Sequence, residues 1–144
     1  MTNITFFKLN DKFRLDVYKP ASSNDDINKM KNHFKDITIP NEYIVFVSQM
    51  TEAEILVMGE SYIRIWGAPG CMEMNDAYNI QKYIPNSLAI GDDEGGKVIL
   101  YVSGHNGYGL YQVGFGDLDI NDAEFISPSL TELLIYGVGA NNFL

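Results

Sequence analysis

Cysteine, histidine and long apolar runs are scarce in this sequence. Its 144 residues include one cysteine, Cys71, and two histidines, His33 and His105. One cysteine excludes an internal disulfide, and so few thiol and imidazole groups argue against a dedicated zinc site. No apolar run approaches the roughly 18 to 20 residues of a membrane helix. Charged residues interrupt positions 1–18, so we expect no signal peptide and a cytoplasmic protein without a membrane segment.

The composition is that of a folded chain with a sizeable core. Hydrophobic residues make up 46% of the sequence and charged residues 20%. A chain of this length and composition is typical of one globular domain, and we expect a single domain over residues 1–144. Without disulfides or a structural metal, its stability must come from packing.

Basic residues are rare in most of the chain. Residues 1–35 carry seven basic and four acidic side chains, a net charge of +3, whereas residues 36–144 carry three basic and fifteen acidic ones, a net charge of −12. No lysine or arginine follows Lys97. Such a charge distribution repels phosphate backbones and attracts basic proteins, so it argues against direct nucleic-acid binding. The alternative is that the acidity serves solubility alone.

Apolar periodicity predicts a mixed order, with helices early and late in the chain around a meander of strands. Predicted helices cover residues 24–35, 40–50, about 72–82 and 128–136; predicted strands cover residues 12–18, 53–58, 62–66, 88–90, 98–102 and 110–115. For residues 40–50 the β-branched pair Ile44-Val45 leaves a strand as the alternative. This order predicts an α+β fold, with a largely antiparallel sheet of about five or six strands packed with three or four helices.

The same periodicity predicts the core. Twelve residues are expected to be buried: Ile27, Phe34, Tyr43, Phe46, Ile63, Ile65, Ile90, Ile99, Tyr101, Val113, Leu130 and Leu134.

Two acidic segments resemble cation sites in their composition. Asp92, Asp93 and Glu94 lie between glycines and could bind a hard cation or an arginine, but adjacent carboxylates seldom converge on one ion. An ordinary hairpin turn is the alternative that we favour. Residues 117–121 match the first ligand positions of a calcium loop, but Asp122 stands where the glycine is required and Pro128 where the final glutamate is required. We therefore expect no metal.

No arrangement of residues indicates an enzyme. The glycine-rich segment 104–109 lacks the order and the lysine of a phosphate-binding loop. His105 within it could act as a base, yet no serine or cysteine has the surroundings of an activated nucleophile. Cys71 is typical of a small buried hydrophobe. We expect a protein without catalytic residues or cofactor.

Exposed acidic turns are the natural candidates for contact with a protein partner. Tyr108, beside a glycine turn, could serve as an aromatic anchor. The predicted partner-binding residues are Asp92, Asp93, Glu94, Tyr108, Asp117, Asp119, Asp122 and Glu124. Solvated hairpin tips, with binding on another face, remain the alternative.

Several segments resemble the SUKH superfamily in their order along the chain. Ile39-Pro40-Asn-Glu-Tyr43-Ile-Val-Phe46 resembles a Leu-Pro-x-x-Tyr-x-x-Phe helix entry, and residues 60–66 resemble the second strand of the family's hairpin. Residues 85–96 resemble its Pro, apolar, Ile-Gly-x-x-Gly-Gly segment, and residues 127–134 its closing helix. The resemblance covers about residues 22–136; the family's Asn-Gly-Gly after the second helix is absent, and strand 12–18 is additional.

This resemblance implies a binding domain without catalytic activity. Members of the family include bacterial immunity proteins, which neutralise toxins delivered by neighbouring cells, and many such toxins are basic nucleases. An acidic inhibitor fits a basic nuclease, since opposite charge speeds association. The alternative is an adaptor or regulatory scaffold domain in a cellular complex, as in eukaryotic members, and a small-molecule-binding domain is a third possibility.

Overall fold

The computed structural model describes residues 4–144, in which seven antiparallel strands pair in chain order. The strands are β1 (Phe13–Lys19), β2 (Thr51–Val57), β3 (Ser61–Ile65), β4 (Leu88–Asp92), β5 (Lys97–Gly104), β6 (Gly107–Gly114) and β7 (Glu124–Ser127). The predicted α+β class is confirmed, and so is the antiparallel sheet. The sheet has one or two strands more than the predicted five or six, and β7 was missing from the prediction because its four residues are too few to show a period.

Within the described residues, five α-helices accompany the sheet. They are α1 (Asn24–His33), α2 (Asn41–Val47), α3 (Ala68–Ala77), α4 (Ile80–Tyr83) and α5 (Leu130–Leu134), with short 3-10 helices at Ile120–Asp122 and Ala140–Phe143. The segment near 40–50 is therefore helical, as predicted, although shorter. Among the residues described, none of the helices is both long enough and apolar enough to cross a membrane.

The predicted helix at 72–82 is wrong in its boundaries. Helix α3 begins four residues earlier, directly after Gly67, with Pro69 in its first turn. Proline is tolerated there because an N–H in the first turn has no partner within the helix. The helix ends where Asn79 adopts a left-handed conformation with φ +52°, and α4 starts anew at Ile80.

The start of the last helix also differs from the prediction. The N-cap is Ser129, whose hydroxyl accepts a hydrogen bond from the Glu132 N–H at 3.0 Å. A helix over residues 128–136 would place the N-cap at Ser127, but Ser127 is the last residue of β7 and is buried. Two serines flanking one proline offer two plausible caps, and the pairing of Ser127 with Leu110 of β6 decides between them.

Apolar residues cover both faces of the sheet, but not equally. One face packs along its length against helices α1, α2 and α5, and the other is covered over β4 to β6 by residues around α4, among them Ile80 and Ile84. All twelve predicted core residues are buried. In the helices these residues follow the periodicity that results from burial of one side. Strands β4 and β5 are buried on both faces, so their core residues do not alternate with exposed ones.

Asn75 joins α3 to the sheet. Strand β3 ends at Ile65, so the first half of β4 lacks a neighbouring strand on that side. The buried Asn75 amide takes that place: its Nδ2 donates to the Ala89 carbonyl at 2.9 Å, and its Oδ1 accepts from the Ala89 N–H at 3.0 Å. The buried N–H and carbonyl groups of Ala89 thus form their hydrogen bonds with a side chain instead of a neighbouring strand.

Glu42 joins α2, α5 and β5. Its carboxylate accepts hydrogen bonds from the backbone N–H of Leu130 at 2.7 Å and of Thr131 at 3.0 Å, and from the hydroxyls of Thr131 and Tyr101, both at 2.7 Å. Charge-assisted bonds of this kind are stronger than neutral ones. They fix the ring of Tyr101, whose pKa is raised well above its usual value by burial and by Glu42.

The packing predicts how much stability is lost when the side chain of Phe46, which is fully buried on α2, is truncated. Phe46→Ala should lower the free energy of unfolding by ~3 to 5 kcal/mol, since it removes buried apolar area and leaves a cavity. Tyr136→Ala, at a side chain 65% exposed, is the matched control and should change stability by less than ~0.5 kcal/mol. Urea denaturation measures both; equal midpoints for the two variants would contradict this packing.

Candidate functional site

The two acidic segments meet at one end of the sheet. The β4–β5 turn, residues 93–96, lies beside the β6–β7 loop, residues 115–123, and the Phe115 N–H donates to the Gly96 carbonyl at 2.9 Å. The Lys97 ammonium at the base of the turn contacts the Glu124 carboxylate at 3.0 Å. We name this surface the acidic end; it comprises Asp92, Asp93, Glu94, Asp117, Asp119, Asp122 and Glu124.

Two carboxylates of the acidic end shape the turn itself. Asp92 accepts from the Glu94 N–H at 2.8 Å and from the Trp66 indole N–H at 2.9 Å. Asp93 accepts from the N–H groups of Gly95 at 2.8 Å and Lys97 at 2.9 Å. The turn prediction is therefore correct, and these two residues have a local structural role besides their charge.

Arg64 of β3 anchors the same turn to the sheet. Its guanidinium lies 3.0 Å from the Glu54 carboxylate and 3.6 Å from that of Glu94. Partial burial raises the pKa of Glu94, and Arg64 opposes this shift. Gly91 allows the approach of the two strands, because a Cβ at this position would collide with the Arg64 carbonyl oxygen.

The carboxylates of the β6–β7 loop are held by fewer hydrogen bonds than Asp92 and Asp93. Asp119 caps the 3-10 helix by accepting from the Asn121 N–H at 2.9 Å. Asp122 lies beside Asp117, which raises the pKa of Asp122 through a hydrogen bond and like charge. Among residues 4–144, no lysine or arginine forms an ion pair with either of these two acids.

The carboxylates spread over the surface rather than converge. Within residues 4–144, no group of three or more histidine, cysteine, aspartate or glutamate side chains is arranged to hold a metal ion. Over the same range, the ion pairs of the acidic end are those that Arg64 and Lys97 form with Glu94 and Glu124. Most of its charge therefore faces solvent and is available for long-range attraction.

Tyr108 lies apart from these acids. It is the second residue of β6, opposite Ser103, whereas the acidic end begins beyond the pair Val98 and Val113. Five residue pairs of an antiparallel strand span about 17 Å. The structure thus divides the predicted partner-binding set: seven acids lie at one end of the sheet, and the tyrosine, 53% exposed, lies toward the other.

Sequence reasoning missed three residues that contribute to the acidic end. These residues are Arg64, Trp66 and Glu54. They reach the acidic end because Arg64 of β3 lies opposite Glu54 of β2 on one side and opposite Asp92 of β4 on the other. The β2–β3 hairpin indicates the first pairing. The second depends on a connection of more than twenty residues through α3 and α4, for which the sequence offers no local signal.

No protein-family model matches the chain, and no curated protein matches it at a significant level. Function must therefore be inferred from the residues and their geometry.

The contact between Asp117 and Asp122 gives a titration prediction. Asp117→Asn removes the like charge, so the pKa of Asp122 should fall toward the ordinary aspartate range. Carboxyl ¹³C NMR titration measures this shift residue by residue. Asp25→Asn, on the distant α1, should leave the pKa of Asp122 unchanged, and an unchanged value in the Asp117→Asn protein would show that the two loop carboxyls do not interact.

Proposed function

We propose that this protein is a non-catalytic binding protein that neutralises a basic toxin domain, a nuclease being the class that fits best. The acidic end would be its contact surface. One observation carries the proposal: two segments separated by more than twenty residues bring seven acidic side chains to one end of the sheet, where Arg64 and Lys97 pair with only two of them in the described chain.

The physical reason is electrostatic complementarity. A nuclease surface that binds phosphates is positive, and clustered carboxylates attract it at long range and compete for the same basic side chains. Such steering raises the association rate, which matters for an inhibitor that must act before its target damages nucleic acid. A net charge of −9 fits such an inhibitor.

The sequence resemblance to the SUKH superfamily supports the same proposal, since immunity proteins are among its members. The surroundings of Cys71 agree with a role other than catalysis. Its thiol is buried and lies 3.3 Å from the Ala89 carbonyl, and burial raises its pKa to about 12. A thiol of that kind is a poor nucleophile at neutral pH. We place the protein in the cytoplasm, where an inhibitor of a nuclease has to act.

The test compares the proteins captured by three forms of the chain. Asp117→Lys with Asp122→Lys changes the acidic end without disturbing the hydrogen bonds of Asp92 and Asp93. Asp25→Lys with Glu73→Lys, on α1 and α3, is the matched control, because each pair raises the formal net charge from −9 to −5.

We expect affinity capture from the organism that encodes the protein, followed by mass spectrometry, to recover a basic nuclease domain with the natural chain and the control pair. The acidic-end pair should recover at least about tenfold less, as steered association loses rate when charge is reversed. The natural chain should also inhibit the recovered enzyme at a one-to-one ratio. Capture of the subunits of one cellular complex, equally by all three forms, would contradict the proposal and support the adaptor function instead.

A further inference from the structure

A second surface lies away from the acidic end, between the α1–α2 connection and the β5–β6 hairpin. It is an open cleft of about 530 Å³. Ile37, Pro40 and Leu88 contribute apolar groups to it, and Tyr108 lies along its wall. A cleft of this size accommodates a side chain with its flanking backbone.

The ring of Tyr108 is supported by a buried aromatic neighbour. It stacks on Tyr101 with the ring centroids 6.1 Å apart and an interplanar angle of 12°. Tyr101 in turn is fixed by its hydrogen bond to Glu42. An aromatic ring supported in this way loses little conformational freedom when a ligand packs on it.

The charge of the cleft selects the kind of ligand. Asp36 is the acidic side chain among the described residues that line it, and no lysine or arginine lines it there. Asp36 also forms no ion pair with any residue from 4 to 144. An exposed tyrosine face, a carboxylate without an ion pair and the hydroxyl of Ser103 together favour a planar cation.

We propose that this cleft receives an arginine side chain from a basic protein partner, with the guanidinium stacked on Tyr108 and paired with Asp36. Arginine suits the site better than lysine, because its guanidinium is planar, stacks on aromatic rings and donates two parallel hydrogen bonds. The partner class is that of the proposed function, but the residues are not those of the acidic end, and the two assignments can fail separately.

The probe is a blocked tripeptide, acetyl-Gly-Arg-Gly-amide, titrated into ¹⁵N-labelled full-length protein. Saturable shifts of the Ile37, Ser103 and Tyr108 amide signals are expected. The citrulline analogue has the same shape without the charge and should give no saturable shift. The lysine analogue should bind more weakly than the arginine peptide.

Matched variants assign the contacts. Tyr108→Ala should weaken binding of the arginine peptide about two- to fivefold, the range of an exposed cation–π contact, whereas Tyr108→Phe should retain it. Asp36→Asn should weaken binding by a similar factor. Tyr136→Ala, which removes an exposed ring elsewhere, should have no effect.

Two results would overturn the cleft assignment. The first is a set of shifts confined to the acidic end, which would leave the proposed function standing. The second is equal binding of the arginine and citrulline peptides at the cleft. Conversely, charge-dependent binding at the cleft would support this inference even if no basic nuclease were captured.

Discussion

Antiparallel pairing of β4 to β7 in chain order determines where the charge of this protein lies. In consecutive hairpins, every second turn is at the same end of the sheet. The β4–β5 turn and the β6–β7 loop therefore meet, as the hydrogen bond between Phe115 and Gly96 shows, and the β5–β6 turn beside Tyr108 lies opposite. Acids that are separated in sequence become one surface through this topology alone.

Two polar side chains connect that sheet to its helices. Asn75 supplies to β4 the hydrogen bonds that a longer β3 would have made, so the chain can leave the sheet at Ile65 and form α3. Glu42 holds the start of α5 against β5 and fixes Tyr101. Each makes several hydrogen bonds, and each supports a surface that we propose to be functional. Asn75 supports the strand that ends at Asp92. Glu42 supports Tyr101, on which Tyr108 of the cleft stacks.

Features governed by local sequence could be predicted, and those governed by distant pairing could not. The β2–β3 hairpin and α1 follow from periodicity, because each of these elements buries one side. Strands β4 and β5 are buried on both faces and show no such alternation. The start of helix α3 could not be predicted locally, because a proline usually interrupts a helix, whereas Pro69 lies in the first turn, where it is tolerated. At the site, the exposure of the acidic turns was predictable. The position of Arg64 was not, since it depends on the β3–β4 register. The separation of Tyr108 from the acids follows from the pairing of β5 with β6, which places Tyr108 opposite Ser103 and Val113 opposite Val98.

The central claim is that the acidic end attracts a basic partner by long-range electrostatics. The most direct test is the association rate constant between this protein and its captured partner, measured by stopped flow over a series of salt concentrations. Screening shortens the range of the attraction as salt rises, so the rate should fall steeply for the natural chain, while dissociation changes little. A rate that does not depend on salt would contradict the claim, because it would show that the charge gathered at this end of the sheet plays no part in finding the partner.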